Sequence, residues 1–289
     1  MKKSNVLVAL FACVLALAFF AGCSADFDFQ SRSSVAVAPV TYSTAPSLYN
    51  LVLEGYNGGD PGPICFQEGW LTTSANKAKY YNGTKIYLIT LSGTELIENQ
   101  ATGILTDLKS GFNLNSPYLQ NVVKEVSEHI PAGSNLIFAG HSLGGMIAQQ
   151  VSADSTIKAN YNVLNVVTFG SPLLSEGSRE GTLKRLCDIS DIVPLASGST
   201  FNNSKKQWTE REVEDGGYGH EIRNGWDLTC ALVRAATGTR DVTGPHCDSY
   251  ALTDVWGAYD ALGFKNGNAV IVTDENTKTF YQNLTSGNN

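Results

Sequence analysis

Three short apolar segments, separated by stretches with helical spacing, most constrain how this chain can fold. Residues 85–91 (KIYLITL), 135–139 (NLIFA) and 163–169 (VLNVVTF) are largely apolar, without the alternation of a half-exposed strand. Such runs are typical of strands that are covered on both faces. Between them, residues 119–130 and 143–151 carry apolar side chains at helical spacing. This alternation predicts an α/β fold, with a mostly parallel central sheet and helices on both faces.

Composition supports one large domain and argues against several other classes of protein. The chain has 289 residues, of which 43% are hydrophobic and 16% charged, and its net charge is −7. This apolar content can build a sizeable core, and it argues against disorder. An acidic balance without a basic stripe argues against binding to nucleic acid or to anionic lipid by charge. After the N-terminal segment, no apolar run reaches the roughly 18 residues of a membrane span.

The N-terminal segment predicts export. Lys2 and Lys3 precede a nearly unbroken apolar stretch over residues 6–21, and small residues follow it. This is the order of a secretory signal peptide, which we assign to residues 1–22, with a plain membrane anchor as the alternative. Residues 23–45 are rich in serine and predict a tether. The α/β domain is then expected over residues 46–289.

The end of this signal resembles the lipobox of bacterial lipoproteins. The residues concerned are Phe20-Ala21-Gly22-Cys23. The resemblance implies that Cys23 is acylated and becomes the new N-terminus, which would anchor the protein to a membrane of the bacterial cell envelope. Secretion without an anchor is the alternative.

Four cysteines remain for the domain, and they are Cys65, Cys187, Cys230 and Cys247. In an exported chain they can form up to two disulfides, with three alternative pairings. No Cys-x-x-Cys or Cys/His cluster has the spacing of metal ligands, so no metal is expected.

Residues 140–145 (GHSLGG) predict a nucleophile at Ser142. The pattern G-x-S-x-G is weak alone, but here it lies between a predicted strand and a predicted helix. A nucleophile elbow needs that context, and flanking glycines let its tight turn close. The start of the helix then presents backbone N–H groups and a positive dipole to a developing oxyanion. A structural glycine turn with an incidental serine is the alternative.

A serine hydroxyl needs a base, and the chain contains four histidines. His129 ends a predicted helix, and His141 is expected to point away from its neighbour Ser142. His220 and His246 both follow the serine, as the order serine, acid, histidine of α/β-hydrolases requires. The residue pattern alone leaves these two histidines open.

Two aspartates follow the predicted strand 183–189. An acid just beyond the carboxyl end of a parallel strand lies at the same rim of the sheet as the elbow. Asp191 lies in a loop set up by Pro194, whereas Asp188 is expected to belong to the strand still. Asp191 is therefore the candidate acid, with an isolated surface aspartate as the alternative.

Several segments, in this order, resemble the class 3, or fungal-type, triacylglycerol lipase family. They are residues 89–94 (ITLSGT), 109–112 (KSGF), 139–145 (AGHSLGG), 167–172 (VTFGSP), 191–194 (DIVP) and 246–250 (HCDSY). The resemblance implies an α/β-hydrolase fold and a serine hydrolase that cleaves carboxylic esters of lipids. It implies no metal and no cofactor.

The resemblance also implies roles for single residues. It implies a triad and an oxyanion hole, formed by Ser142 as nucleophile, Asp191 as acid, His246 as base, and Thr94 and the backbone N–H of Leu143 as oxyanion donors. His220 matches a non-catalytic histidine of the family.

Other activities would use the same catalytic residues. They include phospholipase A1, feruloyl esterase and short-chain esterase, and the alternative from another class is an inactive surface lipoprotein with this fold. Residues 95–105 (ELIENQATGIL) have an apolar half and a polar half at helical spacing. They predict either a lid over Ser142 or a short surface helix packed on the core.

Overall fold

A mixed sheet forms the centre of the computed structural model of this chain, which describes part of the sequence. The described residues are 38–56, 62–73, 83–93, 116–174, 180–196, 208–210, 222, 225–238 and 240–282. The predicted signal peptide, Cys23, Thr94, the segment 95–105 and His220 lie outside them.

Nine strands of the described residues build this sheet. They are β1 (Val40–Tyr42), β2 (Ile64–Thr73), β3 (Thr84–Leu91), β4 (Asn135–His141), β5 (Asn162–Phe169), β6 (Thr182–Cys187), β7 (Trp208–Glu210), β8 (Ala269–Thr273) and β9 (Thr279–Tyr281). Their order is β1-β8-β2-β3-β4-β5-β6-β7, and β9 pairs with β2.

The sheet is parallel in one half and antiparallel in the other. Strands β3 to β7 run parallel to one another. Strand β2 pairs antiparallel with β3, β8 and β9, and β1 pairs antiparallel with β8. The predicted parallel sheet is therefore correct for β3 to β7 and wrong for the other half. Strands β8 and β9 lie in the C-terminal region, where the residue pattern gave no regular assignment.

Six helices lie in the described residues, and three of them begin at a side chain that caps them. They are α1 (Ala45–Glu54), α2 (Pro117–His129), α3 (Leu143–Ala153), α4 (Ser155–Asn160), α5 (Gly225–Ala236) and α6 (Thr253–Trp256). The hydroxyls of Thr44 and Ser116 accept hydrogen bonds from backbone N–H groups at the starts of α1 and α2, and the Asp154 carboxylate does so at α4. None of the helices in the described residues is long and apolar enough to cross a membrane.

Helices cover both faces of the sheet, as the sequence predicts. In β3, Ile86 and Leu88 join a core cluster with α1 and residues 250–262, whereas Ile89 and Leu91 join a cluster with α2, α3 and α4. Successive side chains of a strand point to opposite faces, so both faces need apolar residues. That requirement explains the apolar character of the strand without alternation.

The domain begins earlier than the sequence predicts. Residues 40–42 were assigned to the tether, but they form β1 and pair with β8. Tyr42 is buried in the core cluster of α1, and α1 itself begins at Ala45. The sequence does not predict this three-residue strand, because the residues around it are rich in serine and its partner β8 lies more than 200 residues further along the chain.

The expected disulfides are not supported, since Cys65, Cys187, Cys230 and Cys247 are all free thiols. Cys65 lies in β2 and Cys187 in β6, with three strands between them. At about 4.8 Å for each strand, they lie about 19 Å apart across the sheet. A disulfide needs Cα atoms within about 7 Å. Burial raises the pKa of Cys65 and of Cys247 to about 12, so both thiols stay protonated.

Candidate active site

Ser142 lies at a strained turn between β4 and α3. Its backbone has φ 53° and ψ −121°, and among the described residues Asn266 is the one other non-glycine residue with positive φ. Such a conformation costs about 1–3 kcal/mol and persists where the surrounding structure enforces it. The turn places the serine side chain at the carboxyl end of the strand, as a nucleophile elbow does.

The glycines around Ser142 permit the close approach of neighbouring backbone. A Cβ atom at Gly140 would lie 2.5 Å from the carbonyl carbon of Gly144. A Cβ atom at Gly144 would lie 2.6 Å from the backbone oxygen of Ser92 and would overlap that of Leu91. The G-x-S-x-G pattern is therefore a steric requirement of this strand, turn and helix.

The structure brings Ser142, His246 and Asp191 together in one hydrogen-bonded row. His246 Nε2 lies 2.9 Å from Ser142 Oγ, and His246 Nδ1 lies 2.9 Å from Asp191 Oδ2. All three residues are buried. Because a carboxylate only accepts hydrogen bonds, Nδ1 carries the proton and Nε2 is free to accept the serine proton. This is the arrangement of a serine, its general base and the acid that orients the base.

Both oxygens of the Asp191 carboxylate are held by donors other than the histidine. The Val193 N–H donates to Oδ1 at 2.9 Å, and the Tyr250 hydroxyl donates to Oδ2 at 2.8 Å. Burial raises the pKa of Tyr250 well above its usual range, with Asp191 adding to the shift, so its hydroxyl stays protonated. The carboxylate is thus fixed in orientation before any substrate binds.

Asp188 is expected to belong to the strand, but β6 ends at Cys187, so Asp188 lies just outside it. It directly follows β6 and accepts hydrogen bonds from the Ser190 N–H and from the Ser249 hydroxyl. These bonds connect the end of β6 to the segment that follows the base. Asp188 therefore supports the loops of the site.

His246, the residue expected to act as base, lies on a single π-helical turn, Gly244–Asp248, which we call the base loop. Two side chains hold backbone oxygens of this turn: His141 Nε2 lies 2.7 Å from the His246 oxygen, and the Tyr49 hydroxyl donates to the Cys247 oxygen at 2.6 Å. Single π turns are frequent at functional sites, because they redirect one side chain. Here the turn presents the imidazole to the serine.

The two residues expected as oxyanion donors are Leu143 and Thr94. Leu143 is the first residue of α3 and directly follows Ser142. Strand β3 pairs parallel with β4, with Leu91 opposite Gly140, so the chain leaves β3 at the edge of the sheet that carries the elbow. Thr94 comes three residues later in the sequence, outside the described residues.

Residues that the sequence did not single out complete the site. Arg185 is buried in β6, and its Nη2 donates to the backbone oxygens of Ser171 and Pro194 at 2.8 and 3.2 Å. The Tyr56 hydroxyl lies 2.6 Å from His141 Nδ1, next to the elbow, and the Tyr49 hydroxyl donates to the Cys247 oxygen. No local pattern marks these residues, because each is brought to the site by a different part of the fold.

One group of side chains has the donor atoms for a cation among the described residues. Ligand atoms of Glu125, Glu128 and His129 lie within 4.8 Å of one another on α2. Lys124 pairs with both glutamates, and His129 pairs with Glu125 at 3.1 Å. These ion pairs on the outer face of α2 account for the cluster, so we assign no metal to it.

The fold and the geometry of the site define an α/β-hydrolase-like serine-histidine-aspartate arrangement. Comparison with known proteins agrees: residues 70–200, somewhat less than half of the chain, match the family described as lipase (class 3). The matched span contains Ser142 and Asp191 and ends before His246. This match supports the predicted lipase family and the hydrolysis of ester bonds in general.

A solved structure is also similar to part of this chain. The chain is similar to the extracellular lipase LipA from Serratia marcescens, with 21% identity and a TM-score of 0.27. The alignment covers 38% of this chain and 21% of that lipase, so it spans about a fifth of its length. No curated protein matches.

Proposed function

We propose that this protein is a serine hydrolase that cleaves carboxylic esters of lipids. The observation that carries the proposal is the row of Ser142, His246 and Asp191 at a strained elbow, with 2.9 Å at each link. The lipid character of the ester rests on the family match over residues 70–200.

The proposed reaction is a two-step acyl transfer. His246 takes the Ser142 proton through Nε2 as the serine oxygen attacks the ester carbonyl carbon. The tetrahedral intermediate collapses, the bond to the alcohol oxygen breaks, and His246 returns the proton to the leaving alcohol. Water then attacks the acyl-enzyme with His246 as base again, which releases the acid and restores the serine. Asp191 holds the imidazole in the required tautomer and stabilises its cation.

Two donors are proposed for the oxyanion that forms in each step. The N–H of Leu143 stands at the start of α3, where the helix dipole favours negative charge. Thr94 supplies the second donor. Loss of one such donor raises the barrier by about 3 kcal/mol in comparable sites.

Export and anchoring are proposed on the N-terminal sequence alone. Residues 1–22 would direct the chain out of the cytoplasm, and acylated Cys23 would retain it at the cell envelope. The enzyme would then meet lipid esters at or outside the membrane.

Activity-based labelling tests the proposed function directly. A fluorophosphonate reacts with a serine that a neighbouring base activates, so the parent protein should be labelled at Ser142 and Ser142→Ala should not. Mass spectrometry of the labelled peptide locates the site. An unlabelled parent, or equal labelling of both proteins, would contradict the proposal and favour a binding protein with this fold.

A substrate series then defines the ester class. Hydrolysis is measured on the purified soluble domain, from short-chain esters to emulsified long-chain triacylglycerol, a phospholipid and a feruloyl ester. The proposal expects the highest kcat/KM on a lipid ester. A maximum on acetate or on the feruloyl ester would replace the lipase assignment by an esterase of that class.

A further inference from the structure

A second row of hydrogen bonds, which the proposed reaction does not use, runs beside the triad. The Gly93 N–H donates to the Tyr56 hydroxyl oxygen at 2.6 Å, and this oxygen lies 2.6 Å from His141 Nδ1. His141 Nε2 lies 2.7 Å from the backbone oxygen of His246. The row therefore joins the segment after β3 to the base loop through the last residue of β4.

The two ends of this row fix the direction of every bond in it. The Gly93 N–H can only donate, and the His246 backbone oxygen can only accept. His141 must therefore carry its proton on Nε2 and leave Nδ1 as an acceptor. The Tyr56 hydroxyl then accepts from Gly93 and donates to Nδ1. No other pattern of protons satisfies all three contacts with a neutral imidazole.

The protonation states of both side chains favour this single pattern. His141 is 2% exposed, and burial together with the neighbouring His246 lowers its pKa well below the usual range. Burial raises the pKa of Tyr56 well above its usual range. The imidazole therefore stays neutral and the hydroxyl stays protonated around neutral pH.

The row packs directly against the elbow. A Cβ atom at Gly93 would overlap the Tyr56 hydroxyl and would lie 2.9 Å from Ser142 Cβ and 2.8 Å from the His141 backbone oxygen. The rings of His141 and His246 have their centroids 4.6 Å apart. Small movements within the row must therefore move the groups that carry the chemistry.

We propose that Tyr56 and His141 are positioning residues, which hold Gly93 and the His246 backbone in a fixed relation across the nucleophile elbow. The inference rests on the proposed function and deepens it. Gly93 directly precedes, in the sequence, the residue proposed as the second oxyanion donor. The His246 backbone carries the imidazole proposed as base. One row thus connects the backbone next to both groups with the elbow.

Kinetics of two matched tyrosine variants test the positioning role. Tyr56→Phe removes one hydroxyl from the row and keeps the ring. The control is Tyr161→Phe, because the Tyr161 hydroxyl also binds backbone oxygens, those of Val126 and Ile130, at the distant end of α2. Misplacement of reacting groups by about 1 Å costs on the order of 100-fold, so Tyr56→Phe should lower kcat on a soluble short-chain ester about 10- to 100-fold.

The same variants separate positioning from a merely structural role. KM should stay unchanged in Tyr56→Phe, because substrate binding does not use the row. Tyr161→Phe should lose thermal stability to a similar degree and keep the parent kcat. If Tyr56→Phe retains the parent kcat, or loses no more of it than Tyr161→Phe, the positioning role is overturned.

Nuclear magnetic resonance tests the row without using activity. The chain has four histidines, so 15N labelling of histidine resolves each ring. His141 should be protonated on Nε2, with an acceptor Nδ1, and should not titrate around neutral pH. The Gly93 amide should exchange its hydrogen at least about tenfold faster in Tyr56→Phe than in Tyr161→Phe, because a protecting bond is lost. An Nδ1–H tautomer, or equal exchange in both variants, would overturn the row.

The two proposals fail by different results. If the parent protein shows no ester turnover, or turnover that does not depend on Ser142, the proposed function is wrong, whatever the protonation state of His141. In that case the tautomer of His141 and the exchange at Gly93 still decide whether the row fixes the two loops.

Discussion

At the scale of single residues, Ser142 combines an unfavourable backbone conformation with a central position in the proposed chemistry. We expect Ser142→Ala to reduce ester turnover at least about a thousandfold, because the nucleophile is lost while binding and oxyanion donors remain. Steady-state hydrolysis of a soluble ester measures this loss. The melting temperature should stay close to that of the parent, and turnover near the parent rate would contradict the proposed mechanism.

The choice of base can be decided with histidine variants. We expect His246→Ala to lose as much kcat as Ser142→Ala, and the double variant to lose no more, because members of a triad act as a unit. His220→Ala is the matched control and should keep its activity. The assignment is wrong if His220→Ala is inactive and His246→Ala hydrolyses esters at the parent rate.

His141 should make folding stability depend on pH. Its pKa in the folded protein lies below the ordinary value of 6.5, so the unfolded chain binds a proton that the folded chain does not. The contribution of neutral His141 to the free energy of unfolding is therefore present above about pH 6.5. It is lost as the pH falls, by up to about 1.4 kcal/mol for each pH unit. We expect the free energy of unfolding in urea to fall more steeply from pH 7 to 5 in the parent than in His141→Gln.

His141→Gln cannot titrate, and its amide can still donate to the His246 oxygen. The comparison therefore isolates the charge from the hydrogen bond. Equal slopes in the two proteins would mean that His141 binds its proton in the folded state as easily as in the unfolded chain.

Sequence reasoning proposes Ser142 and Asp191 because both lie close to the ends of predicted strands. Ser142 comes three residues after the predicted strand 135–139, Asp191 comes two residues after the predicted strand 183–189, and the carboxyl ends of parallel strands meet at one edge. The base could not be chosen from pattern alone, since His220 and His246 both have the right order. The role of Tyr56 was not predictable, because its partner Gly93 is 37 residues away and no periodicity links them.

At the scale of secondary structure, a local apolar pattern predicts some strands of the sheet, whereas strands that depend on distant partners are not predicted. Strands β3, β4 and β5 are short apolar runs between clear helix signals, and their bounds agree within two residues. Strand β2 contains Gln67 and Glu68 among its apolar residues, and it pairs with β8 some 200 residues away. Antiparallel pairings of this kind depend on partners that local sequence does not reveal.

The segment 95–105 stays a sequence-based prediction, and its function as a lid can be tested. Leu96 and Ile97 belong to the apolar half of the predicted helix, which would turn toward lipid at an interface. We expect replacement of both by serine to lower hydrolysis of emulsified triacylglycerol much more than that of a soluble short-chain ester, because only a lipid surface buries the exposed apolar area.

The measurement compares both rates as substrate concentration passes its solubility limit. The parent should show a rise in rate at that point, and the double variant should not. Equal losses on both substrates, with no rise in the parent, would make the segment structural.

At the scale of the whole molecule, anchoring can be tested at Cys23. We expect Cys23→Ala to abolish acylation and membrane retention without changing the activity of the purified domain, since the predicted tether separates this residue from the fold. Mass spectrometry of the mature N-terminus and fractionation of cells measure the outcome. A mature N-terminus at another residue in the parent would exclude lipoprotein processing.

The position of β8 between β1 and β2 has a consequence for synthesis of the chain on the ribosome. Residues 40–42 have no neighbouring strand until residues 269–273 have been made, because β1 pairs with β8. His246 also emerges late, long after the elbow around Ser142. The row of Ser142, His246 and Asp191 therefore cannot form before residue 246 has been made, and β1 cannot pair with β8 before residues 269–273 have been made.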